Sequence, residues 1–204
     1  RLLAETQIPK VFLDTSSLVS PYELNGDLLL MESRNSVRNI TAHLLEKGRT
    51  LPGFMGDIGY AQSNRERYEG FCQALMDAGK TPNPSLCLTT PLGIDSYREE
   101  IDSFLSSLSR MPDAFVCASD YVACILMQLL EKRGLRVPED VAVSGFDNNI
   151  EDLLAENLTT VQVFNEELGS RLALQILYRI KYPHTPHEVT YLESKVLYRA
   201  STGD

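Results

Sequence analysis

Apolar positions recur at Val37, Ile40, Leu44 and Leu45, with Thr41 between them, the i, i+3, i+4, i+7, i+8 stripe of a helix that turns one side toward a core. Gly48 follows where such a helix takes its C-cap. The stretch "SNRERYEGFCQALMDAG" predicts a second helix: Ser63 and Glu66 have the spacing of a capping box, Phe71, Leu75 and Ala78 share a face, and Gly79 ends it. Ser96 and Glu99 repeat the box before a third stripe through Ile101, Phe104, Leu105 and Leu108. Val122, Ile125, Leu126, Leu129 and Leu130 stripe a fourth that ends at Gly134, and a fifth runs from about Glu166 to Ile180. Between the helices lie short runs apolar on both faces: "KVFLD", "GFMG", "SLCLT", "AFVCAS" and "VAVSGF". Strands of that kind belong to parallel sheets covered by helices on both sides. Their alternation with helices from residue 10 to residue 165 predicts a doubly wound α/β architecture of right-handed βαβ units. The ending "HEVTYLESKVLYRA" is strand-like and has no helix after it.

At 204 residues, 43% hydrophobic and 23% charged, the chain can build one large core or two smaller lobes. Its longest apolar runs, such as "VACILMQLL", fall well short of the roughly twenty residues that a membrane span requires. A formal charge of -9 argues against nucleic-acid contact through these residues, since neutralising phosphates takes a clustered basic surface. Cys72, Cys87, Cys117 and Cys124 occur singly, without CxxC spacing, and read as free thiols of a reducing, cytoplasmic compartment rather than as disulfide or metal pairs. The opening "RLLAETQIPK" has neither an initiating Met nor a signal h-region, so the chain reads as cut from a longer protein.

Ligands of open parallel sheets bind outside the carboxyl ends of the strands, where helix N-termini and loop amides converge. Following "GFMG" is the polar loop "DIGYAQSNRER"; following "AFVCAS" is Asp120; following "VAVSGF" are Asp147 and Asn148. Asp120 directly precedes a helix and is expected to serve as its N-cap. Asp147 could cap a short helix in "IEDLLAE" or face a ligand. Arg65 and Arg67 lie in a first helical turn, where positive charge opposes the macrodipole, and an anionic or hydroxyl-rich ligand would account for one of them. They point in different directions, so both are not expected to bind. No GxSxG, HExxH, Walker loop or GxGxxG is present, and His43, His184 and His187 lie far in sequence from these strand ends. No enzyme, metal site or cofactor is expected.

The segment "PDAFVCASDYVACILMQLLEKRGLRVPEDVAVSGFDN", with "RERYEGF" before it and "LTTVQVFNEELGSRLALQIL" after it, resembles the effector-binding domain of LacI/GalR transcription regulators. The resemblance covers about Ile8 to Gly203. It implies a periplasmic-binding-protein-like fold, two α/β lobes hinged by crossover strands with a small effector in the cleft. Residues 1–30 and 161–188 would be remnants of the N-terminal lobe, and 31–160 with 189–204 a nearly complete C-terminal lobe. It places Arg67 and Asp147 on the effector, and Ser119 where the family often has a hydrogen-bonding Asn. Tyr60, Tyr121 or Phe146 would replace a stacking Trp, because the chain has none. Met31 and Glu32 stand where the family commonly has Asp-Asn, so hydrogen bonding at that hinge must differ. The implied partners are a sugar or sugar derivative, a second copy of the chain in a homodimer, and DNA reached only through a headpiece outside these residues. A periplasmic solute-binding protein of the same fold is the alternative.

Overall fold

The computed structural model of the chain describes residues 6–93, 95–149 and 156–204. A first sheet holds three parallel strands in the order β1 (Val11–Leu13), β2 (Asp27–Met31), β8 (Val189–Leu192). β2 is its buried centre at all five positions. Its sequence, "DLLLM", sets Asp27 ahead of an apolar run, Leu28–Met31, between "NG" and "ESR", yet it is absent from the strands expected above. Helix α5 (Asn165–Lys181) covers this sheet, with Leu168 and Leu172 against Leu29, Met31 and Leu192.

An ion pair buried beneath that helix fixes its C-terminal half. Arg179 donates through Nε and Nη2 to the two oxygens of Asp27, at 3.0 and 2.5 Å, while Gln175 and the Glu188 N–H reach the same carboxylate at 2.9 Å. Burial opposes the ionised carboxyl, but the Arg179, Gln175 and Glu188 bonds outweigh it and hold Asp27 below its ordinary pKa.

The second sheet is parallel, ordered β4 (Cys87–Leu88), β3 (Pro52–Met55), β5 (Ala114–Cys117), β6 (Ala142–Ser144). Helices α1 (Arg34–Glu46) and α2 (Gln62–Asp77) pack on one face around Phe54, Phe71 and Val116. Helices α3 (Tyr97–Ser107) and α4 (Asp120–Lys132) pack on the other around Phe115, Ile101 and Leu126. Both faces of the strands are thereby covered, which explains their lack of polar alternation. The bridges Ser144 to Thr159 and Asp147 to Gln162 set β7 (Thr160–Gln162) beside β6, and β7 pairs antiparallel with β9 (Lys195–Leu197). All four cysteines are free, Cys117 and Cys124 deep in this lobe.

The chain crosses between the sheets at 32–33, 163–164 and 193–194. These crossings are laced together: Ser194 Oγ donates to Glu32 O and shares a hydrogen bond with Ser36 Oγ, each at 2.8 Å, and the Glu32 N–H donates to Leu192 O at 2.8 Å. The final stretch, expected in one lobe, is therefore divided. β8 pairs with β2 in the first sheet, and only β9 and the 3-10 turn Ala200–Thr202 join the second.

The helix starts also differ from the expected capping boxes. α2 begins at Gln62 after Ala61, and Ser63, its second residue, donates to Asp14 Oδ2 at 2.6 Å instead of capping. Ser96 does precede α3, but its hydroxyl meets Glu100 rather than Glu99, and the Gly93 N–H joins that carboxylate at 3.0 Å. Glu32 takes up the free N–H groups of Asn35 and Ser36 at 2.5 and 3.1 Å, so the hinge residue that departs from the family caps α1.

Candidate functional site

β1 and β6 each run out into an aspartate with left-handed backbone, Asp14 (φ 59°) and Asp147 (φ 115°), followed in the second case by Asn148 (φ 50°). Non-glycine residues rarely adopt this region, and such strain persists where surrounding bonds over-determine it. The Asp147 N–H donates to Val161 O at 3.0 Å, Arg199 Nη2 to Asn148 Oδ1 at 2.8 Å, and Asn148 Nδ2 to Gln162 Oε1 at 2.5 Å. Beneath the turn sits Asp120, 1% exposed, which accepts from Thr160 Oγ1 at 2.6 Å and from the backbone N–H groups of Asn148 and Asn149. Gly145 makes room for it, because a Cβ there would lie 2.2 Å from Asp120 Oδ1.

Asp120, expected to cap α4, is therefore not its cap. Ser119 takes that role, accepting from the Val122 N–H at 3.3 Å, and it does not line the cavity described next. The extended backbone at Ser119 (φ -152°, ψ 160°) suits an N-cap, while Asp120 is already the first helical residue. Burial raises the Asp120 pKa, opposed by its bonds from Thr160, Asn148 and Asn149.

A cavity of about 470 Å³ opens between the two lobes, lined by Asp14, Met31, Ser63, Arg67, Asp147 and Leu168 among others. Tyr60 stands at its rim, 77% exposed. Arg67 is 8% exposed; its guanidinium lies 3.7 Å from the centre of the Phe146 ring, the geometry of a cation-π contact. Its Nη1 donates to Ala118 O and, at 3.4 Å, to Asn64 Oδ1, and its Nη2 is 3.6 Å from Asp147 Oδ1. The Nε has no partner among the described residues. Burial pulls the Arg67 pKa down, against the pull of Asp147, Asp14, Asp120 and Glu66. Burial pushes Asp147 up to about 6, with Arg67 opposing and Asp120 adding to the rise.

The structure thus brings Arg67, Asp147 and Tyr60 to one cavity and leaves Ser119 outside it. Arg65, also weighed in the sequence, does not line it. Among the lining residues that were not anticipated, Asp14 and Ser63 bring side-chain polar groups that meet each other. Asp14 had a signal: "KVFLD" ends in a carboxylate just as "VAVSGFD" does. The cavity wall is stitched across the lobes by Ser63 Oγ to Asp14 Oδ2 (2.6 Å), Gln62 N–H to Thr15 O (2.8 Å), Ser17 Oγ to Gly59 O (3.0 Å) and Tyr191 OH to Glu66 Oε1 (2.8 Å). Among the described residues no group of three or more His, Cys, Asp or Glu could hold a metal ion. No described helix is long and apolar enough to cross a membrane.

Two parallel-sheet lobes joined by crossovers, with polar strand ends facing a shared cavity, define a hinged small-molecule-binding domain. Residues 41–202 match the family model of the periplasmic binding protein-like domain, and the chain belongs to that family as a LacI-type effector-binding domain. It is 28% identical over 203 residues to the HTH-type transcriptional repressor PurR of Aliivibrio salmonicida (strain LFI1238), an alignment covering 98% of this chain and 59% of that protein. Among solved structures it is similar to a LacI-family transcriptional regulator from Sanguibacter keddieii DSM 10542, with a TM-score of 0.82 and 26% identity over 99% of this chain and 75% of that one. It is also similar to the transcriptional regulator CelR in its complex with cellobiose, with a TM-score of 0.80 and 26% identity over 94% of this chain and 58% of that one. The chain spans about six-tenths of the PurR relative's length.

Proposed function

We propose that this chain is the effector-sensing part of a DNA-binding transcription regulator, and that a sugar or sugar derivative binds in the cleft between its lobes. The observation that carries the reading is Arg67: a buried arginine whose Nη2 lies 3.6 Å from Asp147, a carboxylate that accepts no hydrogen bond from the described residues, both lining one interlobe cavity. Hydroxyls match this pair, since each can donate to Asp147 and accept from the guanidinium. Ser63 and Asp14 add a further donor and acceptor from the two walls. The likeness to a regulator in complex with cellobiose supports the sugar class. The likeness to repressors favours a regulator over a periplasmic solute-binding protein.

In this reading the effector changes the angle between lobes by bridging Asp14 of the first lobe to Ser63, Arg67 and Asp147 of the second. The crossings at 32–33, 163–164 and 193–194 carry the motion. A two-fold dimer would then pass it to a DNA-binding headpiece elsewhere in the protein.

Titration calorimetry with a panel of neutral mono- and disaccharides tests the proposal. At least one sugar is expected to bind, and Arg67→Ala is expected to weaken it by about 2 to 4 kcal/mol through loss of charge-assisted hydrogen bonds. Binding that is indifferent to Arg67→Ala would remove the assignment of this cleft, and a panel with no binder would count against the sugar class.

A further inference from the structure

We infer that the cleft selects effectors that carry no negative charge, so that phosphate esters and carboxylates are excluded while uncharged or amine-bearing polyols are admitted. The inference rests on the reading of this cleft as the effector site and adds the charge of the ligand to it.

Two carboxylates, Asp14 and Asp147, line the cavity against one lining cation, Arg67, among the described residues. Two more, Glu66 and Asp120, are buried close enough to act on that arginine, at 4% and 1% exposure. Glu66 is held there by Tyr191 OH at 2.8 Å and Gln62 Nε2 at 3.1 Å. An anion entering the cavity therefore meets a negative field in a partly desolvated space, where screening is weak.

The geometry of Arg67 points the same way. Tight phosphate or carboxylate recognition by arginine uses two parallel N–H donors of the fork. Here Nη1 is taken by Ala118 O and Asn64 Oδ1 and Nε is buried away from the cavity, which leaves Nη2, 3.6 Å from Asp147, as the donor that faces a ligand. A phosphate would meet this single donor, not a fork, and would meet it beside the Asp147 carboxylate. A hydroxyl fits that place, because it can accept from Nη2 while donating to the Asp147 carboxylate.

Inorganic phosphate is the simplest probe, and it requires no knowledge of the effector. Thermal unfolding of the chain is followed as phosphate replaces chloride at constant ionic strength, at neutral pH. The wild type is expected to show no saturable stabilisation. Asp147→Asn frees Nη2 and removes one negative charge, and Asp14→Asn removes the other. The double variant is expected to gain phosphate binding on the order of a hundredfold, the scale of uncompensated like charges at short range. That gain should vanish when Arg67→Ala is added. Asp147→Asn alone gives a smaller gain and serves if the double variant does not fold. Saturable, Arg67-dependent phosphate binding by the wild type would overturn the inference, as would a variant that folds and gains nothing. The proposed function fails differently: it falls if neutral sugars and their phosphate esters alike bypass Arg67, whereas a phosphate ester bound there would leave the effector site standing and remove only the charge selection.

Discussion

Neutralising Asp147 should make the protein more stable and less able to bind. Burial lifts this carboxyl from 3.8 to about 6, a change that already contains the attraction of Arg67. Two units correspond to about 3 kcal/mol between the protonation states. Its side chain keeps 29% of its exposure, so solvent screening brings the figure to about 1 to 3 kcal/mol. Between pH 3.8 and about 6 the folded state holds the proton more tightly than the unfolded chain, so stability falls as pH rises through that window. Above it the cost of the ionised group is fully in place. Asp147→Asn imitates the protonated form, and should therefore raise unfolding free energy at neutral pH by about 1 to 3 kcal/mol and converge with the wild type in acid. Urea denaturation of both proteins across this pH range measures the difference. A variant less stable than wild type at neutral pH, or a gap that persists in acid, would refute the desolvation account. Effector affinity should move oppositely, weakening as pH drops below about 6 and the acceptor is lost.

Asp27→Asn should have the opposite sign, lowering stability by about 3 to 5 kcal/mol because Arg179 is left buried without its counter-charge. The contribution of Asp27 is present above its unfolded value of 3.8 and lost as pH falls through its lower folded value, so wild type and variant should approach each other only in strong acid, as urea midpoints would show. Asp120→Ala should cost about 2 to 4 kcal/mol, since two backbone N–H groups and the Thr160 hydroxyl lose a buried acceptor, whereas Ser119→Ala should cost about 1 kcal/mol as a cap; thermal melts that reverse this order would contradict the assignment. With a formal charge of -9, the chain should leave an operator-sized duplex unshifted in a gel at physiological salt, and a discrete shifted band would contradict this.

The helices were legible because each shows its buried face as a repeating stripe, and α1 through α5 fall where Val37, Phe71, Ile101, Val122 and the run after Glu166 place them. β2 carries in Leu28–Met31 the same both-faces-apolar signal as the strands that were read, so it was legible in principle and nothing physical hid it. Caps were less legible than helices. Ser119 and Asp120 are both good capping residues, and backbone angles rather than residue type decide which one caps. Ser63 and Glu66 fit a capping box by spacing, yet their partners, Asp14 and Tyr191, come from the other lobe, and local sequence carries no trace of such contacts. In the site, Arg67 and Asp147 followed from family resemblance. Asp14 could have followed from chemistry alone, by asking what every strand end carries.

The last ten residues give the fold an order in time. β9 closes the second lobe against β7, and beyond it Ser201 and Thr202, each 2% exposed, are threaded into the interior: the Ser201 hydroxyl donates to Val143 O at 2.6 Å and accepts from the Thr159 N–H at 2.8 Å. A lobe whose four main strands lie between residues 52 and 144 therefore waits for residues 195–202 before its edge is sealed. During synthesis that lobe must emerge with its β7 flank open while α5 and β8 are still being made. The ribosome thus delivers the seal after almost everything that it holds together.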